Sequence, residues 1–264
     1  MVSTGSPQQS VPGRSPAPPA AVRTGVALVY GLVCHLCFLA GVLTMMLAML
    51  FGMSRSLGTL SAPWSWIANA ALLIQFPVMH SLLLSARGRS LLARMAPLGT
   101  GPTLSTTTYV TIAALQVFAL FGFWSPSGTI WWHAGGLVLV LVLVLYAVSW
   151  LLLGVSMINA GLSVQSGSLG WTALLRGRKP VYPPMPVTGL FRFTRQPIYV
   201  AFALTLWTVP TWTPDQLVVA LTLTAYCVIG PLFKEARFRR IYGAAFDDYA
   251  RTVRYWIPRF RNPK

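Results

Sequence analysis

The chain has 264 residues, of which 55% are hydrophobic and 9% charged, roughly a third of the ~25% usual in soluble domains. A mean hydropathy of +0.63 excludes a soluble globular domain. The charged minority is lopsided, 20 Lys+Arg against 4 Asp+Glu, for a formal net charge of +16.

A basic chain often signals nucleic-acid binding through a stripe on a soluble face. Here the charges are separated instead by uncharged stretches: 31 residues between Arg23 and Arg55, 31 between Arg55 and Arg87, and 81 between Arg94 and Arg176. Each exceeds the ~20 apolar residues that cross a bilayer. The partner implied is therefore lipid, not nucleic acid.

Residues 1–24 are rich in Pro, Ser and Ala and hold no apolar run, so they read as a disordered tail and not as a cleavable signal peptide. Residues 25–264 then form one membrane domain. A first span covers about 26–53 and could serve as an uncleaved anchor. A second, about 64–85, opens on the interfacial pair W-S-W and closes at the basic stretch 87–94.

The long uncharged region divides at W-S-P-S-G-T-I-W-W, residues 124–132, where turn formers lie between tryptophans. This predicts spans near 104–123 and 134–158. Two shorter runs, 196–214 and 216–233, resemble a helical hairpin turning at T-W-T-P-D, with Pro197 suited to a first helical turn. The expected fold is an all-α polytopic membrane helix bundle of about six spans. Its last two form a hairpin followed by a cytoplasmic C-terminal segment.

An even number of spans puts both termini on one side. Segments 87–94, 176–195 and 233–264 carry 3, 5 and 9 basic residues, and all three fall on that side. Lys/Arg-rich loops are cytoplasmic, so the expected site is the cytoplasmic membrane with both termini inside. No fixed-period repeat is visible.

Cys34, Cys37 and Cys227 all lie in apolar runs. The C-x-x-C at 34–37 lacks the further ligands a zinc site needs, and small buried helix residues explain it better. No metal constellation is evident.

Polar groups inside or beside spans are costly and are functional candidates. Here they are Asn69, Gln75, His80, Gln116, Asn159, Asp215 and Glu235, with the arginines flanking the last hairpin. His80 is either a hydrogen-bonded helix histidine or part of a substrate cavity. Glu235, where the last span meets a basic segment, either pairs with Arg237, Arg239 or Arg240, or holds a cationic ligand or a proton. Arg195, at the other end of the hairpin, offers a planar fork for a carboxylate or phosphate. The hairpin returns the chain so that Arg195 and Glu235 share one membrane face, opposite charges that suit a zwitterion.

T-R-Q-P-I-Y at 194–199, a hairpin of about forty residues, K-E at 234–235 and Y-G-A-A-F-D-D-Y at 242–249 together resemble a known signature. It is the R-H-P-x-Y, E-E, F-G-x-x-Y-x-x-Y pattern of the isoprenylcysteine carboxyl methyltransferase and phospholipid methyltransferase superfamily. Q-F-P-V-M-H-S at 75–81, S-T-T-T-Y at 105–109, W-T-V-P-T-W-T at 207–213, A-Y-C-V-I-G at 225–230 and I-P-R at 257–259 resemble one branch. This is the nurim-like family that contains bacterial methanethiol S-methyltransferase. The resemblance covers about residues 65–260.

It implies a methyltransferase that takes S-adenosyl-L-methionine from the cytoplasm, through a cofactor-binding part at 185–260, and a small hydrophobic or thiol acceptor from the bilayer. By that likeness Gly189, Arg195, Gln196, Pro197, Tyr199 and Glu235 line the cofactor site. Glu235 and Arg239 stand nearest the chemistry, and His80 and Tyr109 face the acceptor. Four positions depart from the pattern: Gln196 replaces a histidine, Lys234 the first glutamate, Phe191 a tyrosine and Ala201 a glycine.

Overall fold

The computed structural model describes residues 19–258. Of the tail expected over 1–24, residues 1–18 lie outside the described residues, and Ala20–Thr24 already form the start of the first helix. The elements, in order, are α1 (Ala20–Leu50), α2 (Trp64–Leu83), α3 (Ala86–Met95), α4 (Gly101–Gly122), β1 (Trp132–His133), α5 (Gly136–Asn159), α6 (Leu162–Gln165), α7 (Ser168–Leu175), a 3-10 turn (Gly189–Arg192), α8 (Pro197–Trp207), β2 (Thr211–Trp212), α9 (Pro214–Tyr242) and α10 (Ala244–Thr252).

Five of these helices, α1, α2, α4, α5 and α9, are long and apolar enough to cross a membrane. The protein is a polytopic helical membrane bundle. Its outer surface is as apolar as its inside: Leu137, Leu141, Val144 and Leu151 along α5 all point outward. A helix apolar all round is what lipid solvation permits.

Without a hydrophobic force between helices in lipid, small residues and polar clasps hold the bundle. Gly41 of α1 sits against the Ala114 carbonyl of α4, where a Cβ would come within 2.7 Å of the oxygen. Gln75 and Gln116 bond α2 to α4 through each other's backbone carbonyl at 3.1 Å, and Gln116 Nε2 also donates to Gln75 Oε1 at 2.8 Å. Asn69 clasps the Ser125 backbone, donating to its carbonyl at 2.8 Å and accepting from its N–H at 2.9 Å. The larger apolar core lies between these clasps and includes Met49, Phe121, Leu206 and Leu223.

The expected sixth span differs in kind. Helix α8 has 11 residues, about 16 Å of rise against a hydrocarbon core of about 30 Å. Non-helical backbone at 208–213, with the two strand residues Thr211 and Trp212, continues the chain beyond α8. Non-helical backbone at such depth must find partners inside the protein, and it does. β2 pairs antiparallel with β1, with Trp132 opposite Trp212 and His133 opposite Thr211. Thr213 Oγ1 donates to the Gly52 carbonyl at 2.5 Å and caps α9 by accepting from Gln216 N at 2.9 Å. Four residues, T-V-P-T at 208–211, separate α8 from Trp212, and Pro210 could not have continued a helical ladder.

The second arm of the hairpin is longer than the apolar run that announced it. α9 continues through Phe233 to Tyr242, so Lys234, Glu235 and Arg237 are helical residues at fixed angular positions and not parts of a trailing segment.

The two ends of the bundle differ. One gathers the loops after α1, α4 and α8, joined by the β1–β2 pair and by Ser56 Oγ donating to the Trp124 carbonyl at 2.7 Å. The other gathers the basic segments: Tyr30 of α1 reaches the end of α3 at the Met95 carbonyl, Arg23 lies against Gly177, and Arg195 N donates to the Arg254 carbonyl at 2.9 Å.

Candidate functional site

At the basic end, the start of α8 meets the last third of α9. Gly189 opens the 3-10 turn at φ +59°, and a Cβ there would collide with the Asn159 side chain. That contact lets Asn159 Oδ1 accept from Leu190 N at 2.8 Å, so the end of α5 fixes the turn. Three residues later the chain reaches Arg195 and Gln196, and Pro197 begins α8.

Arg195 and Glu235 do face each other. Nε donates to Oε1 at 2.8 Å and Nη2 to Oε2 at 3.2 Å, with side-chain exposures of only 14% and 9%. Such fork-to-fork geometry is the strongest form of this pair. The remaining Arg195 donor, Nη1, goes to the carbonyls of Ala250 at 2.9 Å and Val253 at 2.6 Å. Arg195 thereby ties α8, α9 and the C-terminal segment together. Of the alternatives open for Glu235, the ion pair is real, but its partner is Arg195 across the hairpin and none of the neighbouring arginines.

Gln196 is fully buried and stands between two charges. Its Nε2 donates to Glu235 Oε1 at 2.7 Å, and its Oε1 accepts from Lys234 Nζ at 3.0 Å. Two of the four residues that depart from the signature are thus each other's partners. Lys234 Nζ also lies 5.4–5.7 Å from the ring centres of Phe191, Tyr199 and Phe238, within cation–π range.

Arg195, Gln196, Lys234 and Glu235 open onto one recess, walled by Pro186, Phe191, Phe238, Phe246 and Tyr249. Its open centre is about 10 Å³, room for one water. Tyr249 from α10 donates to the Phe191 carbonyl at 2.8 Å, and burial raises its phenol above the ordinary range, so it remains a donor at any physiological pH. The C-terminal residues run back beside α9: Trp256 Nε1 donates to the Cys227 carbonyl at 3.2 Å and Thr194 Oγ1 to the Trp256 carbonyl at 3.0 Å.

Other expected residues lie elsewhere. Tyr199 borders the recess through Lys234 only. Gly189 and Pro197 shape the backbone but do not line it. Arg239 does not line the recess: it pairs with Asp247, Nε to Oδ1 at 2.8 Å, with exposures of 54% and 42%, and its guanidinium lies 5.3 Å from the ring centre of Phe246, one of the walls. His80 and Tyr109 meet in a separate cluster, Tyr109 OH to His80 Nε2 at 2.6 Å, among the rings of Phe76 and Tyr226.

Sequence reasoning did not find Phe238, Phe246 and Tyr249 as walls. The F-x-x-Y spacing of α10 was the only signal for Phe246 and Tyr249, and Phe238, on α9, had none. Asp215 proves to be a loop anchor, accepting from Trp124 Nε1 at 3.0 Å, Ser127 N at 2.9 Å and Ser127 Oγ at 2.5 Å. Asn69, Gln75 and Gln116 likewise serve the bundle. Cys34 donates weakly to the Thr107 and Ser166 carbonyls, and among the described residues no cluster of His, Cys, Asp or Glu could hold a metal.

Comparison with known proteins places the chain near one group of enzymes. It is 26% identical over 239 residues to methanethiol S-methyltransferase 1 of Bradyrhizobium diazoefficiens, covering 88% of this chain and 82% of that one. It is 26% identical over 250 residues to methanethiol S-methyltransferase of a Pseudomonas species, covering 90% and 92%. Human Nurim is 28% identical over 174 residues, 62% of this chain and 64% of Nurim. No family model matches the chain, and no solved structure does. The resemblance read from short motifs therefore extends through most of the chain.

Proposed function

We propose that the protein is an integral-membrane methyltransferase that uses S-adenosyl-L-methionine to methylate a small thiol such as methanethiol, giving dimethyl sulfide. Its membrane is the cytoplasmic one, with both termini inside, as the basic segments gathered at one end of the bundle support. The observation that carries the reading is the linked set Arg195–Glu235–Gln196–Lys234 at one recess, where the chain resembles the R-H-P-x-Y and E-E signature, in a chain 26% identical to proteins named methanethiol S-methyltransferase.

The donor set fits the cofactor. A carboxylate and two cations provide partners for an α-ammonium and an α-carboxylate, and the rings of Phe191, Phe238 and Phe246 provide stacking surfaces for a purine. S-adenosyl-L-methionine supplies, when bound, a methyl group activated on a sulfonium. The present opening is far smaller than such a molecule, so binding requires the α10 side chains Phe246 and Tyr249 to move off the recess. Glu235 would hold the ligand's ammonium and Lys234 its carboxylate. Residues that hold both poles would orient the activated methyl toward an acceptor, and such positioning is worth roughly 7–11 kcal/mol.

The departures at Gln196 and Lys234 are compensated structurally, and the binding test below decides between an enzyme and a silent nurim-like relative. An uncompensated Lys for Glu change would leave a buried cation unpaired, whereas here the amide receives it at 3.0 Å. Calorimetry on the detergent-purified chain with S-adenosylhomocysteine tests the reading, followed by labelled methyl transfer to a panel of thiols and to a lipid extract. Saturable binding is expected, abolished in Glu235→Gln and Arg195→Ala proteins that remain folded. Unchanged binding in both variants overturns the site. No binding to the unaltered protein overturns the enzyme, and transfer only to the lipid extract overturns the thiol.

A further inference from the structure

Lys234 stands where an apolar helix turns basic, and a lysine at such a place ordinarily carries its ammonium out to water along a flexible stem. This one does the reverse. Its Nζ has three protons to place, yet it meets one protein oxygen, Gln196 Oε1 at 3.0 Å. It joins none of the ion pairs among the described residues, although Glu235 is its neighbour in the chain.

What surrounds the ammonium instead is aromatic. The ring centre of Phe191 lies 5.7 Å from Nζ, that of Tyr199 5.7 Å and that of Phe238 5.4 Å. The three rings come from the 3-10 turn, from α8 and from the next turn of α9, so the fold and not a single helix assembles the box. Phe191 is fully buried. Phe238 is braced edge-to-face by Tyr242 at 5.4 Å and by Phe246 at 6.1 Å.

Rings held around a charge attract it through their negative faces, the arrangement that recognises quaternary ammonium ligands. An ammonium fits such a box poorly, because two of its three donors find no protein acceptor there among the described residues. A sulfonium carries the same charge, is clothed in carbon and has no hydrogen bond to donate. The box also communicates with the recess, since Phe191, Lys234 and Phe238 all line it. The four-carbon stem of the lysine lets its head move without any shift of the backbone.

Resting on the methyl-donor reading, we propose that Phe191, Tyr199 and Phe238 form the subsite for the sulfonium of S-adenosyl-L-methionine, and that Lys234 is a built-in competitor for it. When the recess is loaded, the ammonium leaves the rings for the ligand's carboxylate, while Gln196 keeps its bond to Glu235. The rings respond to charge, so they distinguish a sulfonium from the neutral thioether of S-adenosylhomocysteine. The stacking surface for a purine then falls to Phe246.

The test uses trimethylsulfonium on the full chain in detergent, with binding read by saturation-transfer NMR and folding by thermal unfolding. Lys234→Ala removes the competitor, so trimethylsulfonium should bind at least about fivefold more tightly than to the unaltered protein, while tert-butanol, a neutral probe of similar size, should gain at most about twofold. Adding Phe238→Leu to that variant should abolish the gain. The same Lys234→Ala change should weaken S-adenosylhomocysteine, which loses its carboxylate partner; a lysine with a merely structural role would not move the two ligands in opposite directions. Should Lys234→Ala fail to fold, Phe238→Leu alone carries the test: affinity for S-adenosyl-L-methionine should fall about five- to tenfold and that for S-adenosylhomocysteine at most about twofold. Equal falls for these two ligands, equal gains for the charged and neutral probes, or no gain for trimethylsulfonium in folded Lys234→Ala each overturn the box, even where S-adenosylhomocysteine binds. Failure of S-adenosylhomocysteine to bind the unaltered protein, with the trimethylsulfonium gain intact, overturns the methyl-donor reading and supports the box.

Discussion

Helix α9 carries a buried carboxylate near each end, Asp215 and Glu235, about 30 Å apart along its axis. Asp215 is held by neutral donors, one indole, one amide and one hydroxyl, all from residues 124–127. Glu235 is held by an arginine fork and an amide that is itself bonded to a lysine. The first arrangement pins a loop and leaves no charged group that a ligand could claim. The second keeps cations and an anion at one recess, where a zwitterion can exchange partners one at a time. Burial alone does not mark a functional acid in this protein; the charge of its partners does.

The strongest way to break this contrast is Glu235→Gln. Removing one partner of a buried pair costs about 3–5 kcal/mol where the other charge stays unpaired. We therefore expect S-adenosylhomocysteine binding, read by calorimetry, to weaken at least a hundredfold.

Asp215→Ala should do the opposite in kind. It strips buried donors of their acceptor, at about 1–3 kcal/mol each. Thermal stability in detergent should drop clearly, while ligand affinity of the folded fraction stays within about twofold; a comparable loss of affinity would erase the distinction between the two ends.

The Gln196–Lys234 contact sharpens the comparison further. Gln196→His and Lys234→Glu should each impair ligand binding alone and compensate when combined. The double-mutant cycle should show a coupling of about 1 kcal/mol or more, and additivity would mean the two departures are unrelated. The smallest effect belongs to Arg239→Ala. Its exposed pair with Asp247 contributes about 0–1 kcal/mol, and both stability and methyl transfer should remain near the unaltered values. A large loss of activity would return Arg239 to the chemistry.

Much of the bundle was legible because apolar length and charge placement report directly on lipid. Four spans came within a few residues of α1, α2, α4 and α5, and the W-S-P-S-G-T-I-W-W turn lies between α4 and α5 as read. The α8 arm was misjudged as a full helix because hydropathy registers apolar character but not the non-helical stretch at 208–213 around Pro210. α9 was cut short at Phe233 because charge was taken as its end. In fact Lys234 is shielded by three rings and Gln196, and helices tolerate such residues when their neighbours satisfy them.

At the site, Arg195 and Glu235 were brought together by counting the hairpin. Their direct pairing was not foreseen, since hairpin topology sets a common level but not rotamers. Arg239 was chosen for lying one turn beyond Glu235. Asp247, on a helix whose docking no spacing could reveal, draws it to the surface instead. The Lys234–Gln196 bond joins residues 38 apart, and no local pattern encodes it.

The roof of the recess belongs to α10, attached to the bundle through Gly243, whose φ of +53° and ψ of −128° suit glycine alone. Phe246 and Tyr249 arrive after every membrane-crossing element has been synthesised. A chain halted at Gly243 would lose both the Phe246 and Tyr249 walls and the carbonyls of Ala250 and Val253 that receive Arg195, so α10 and the residues after it close the recess and brace the hairpin beneath it.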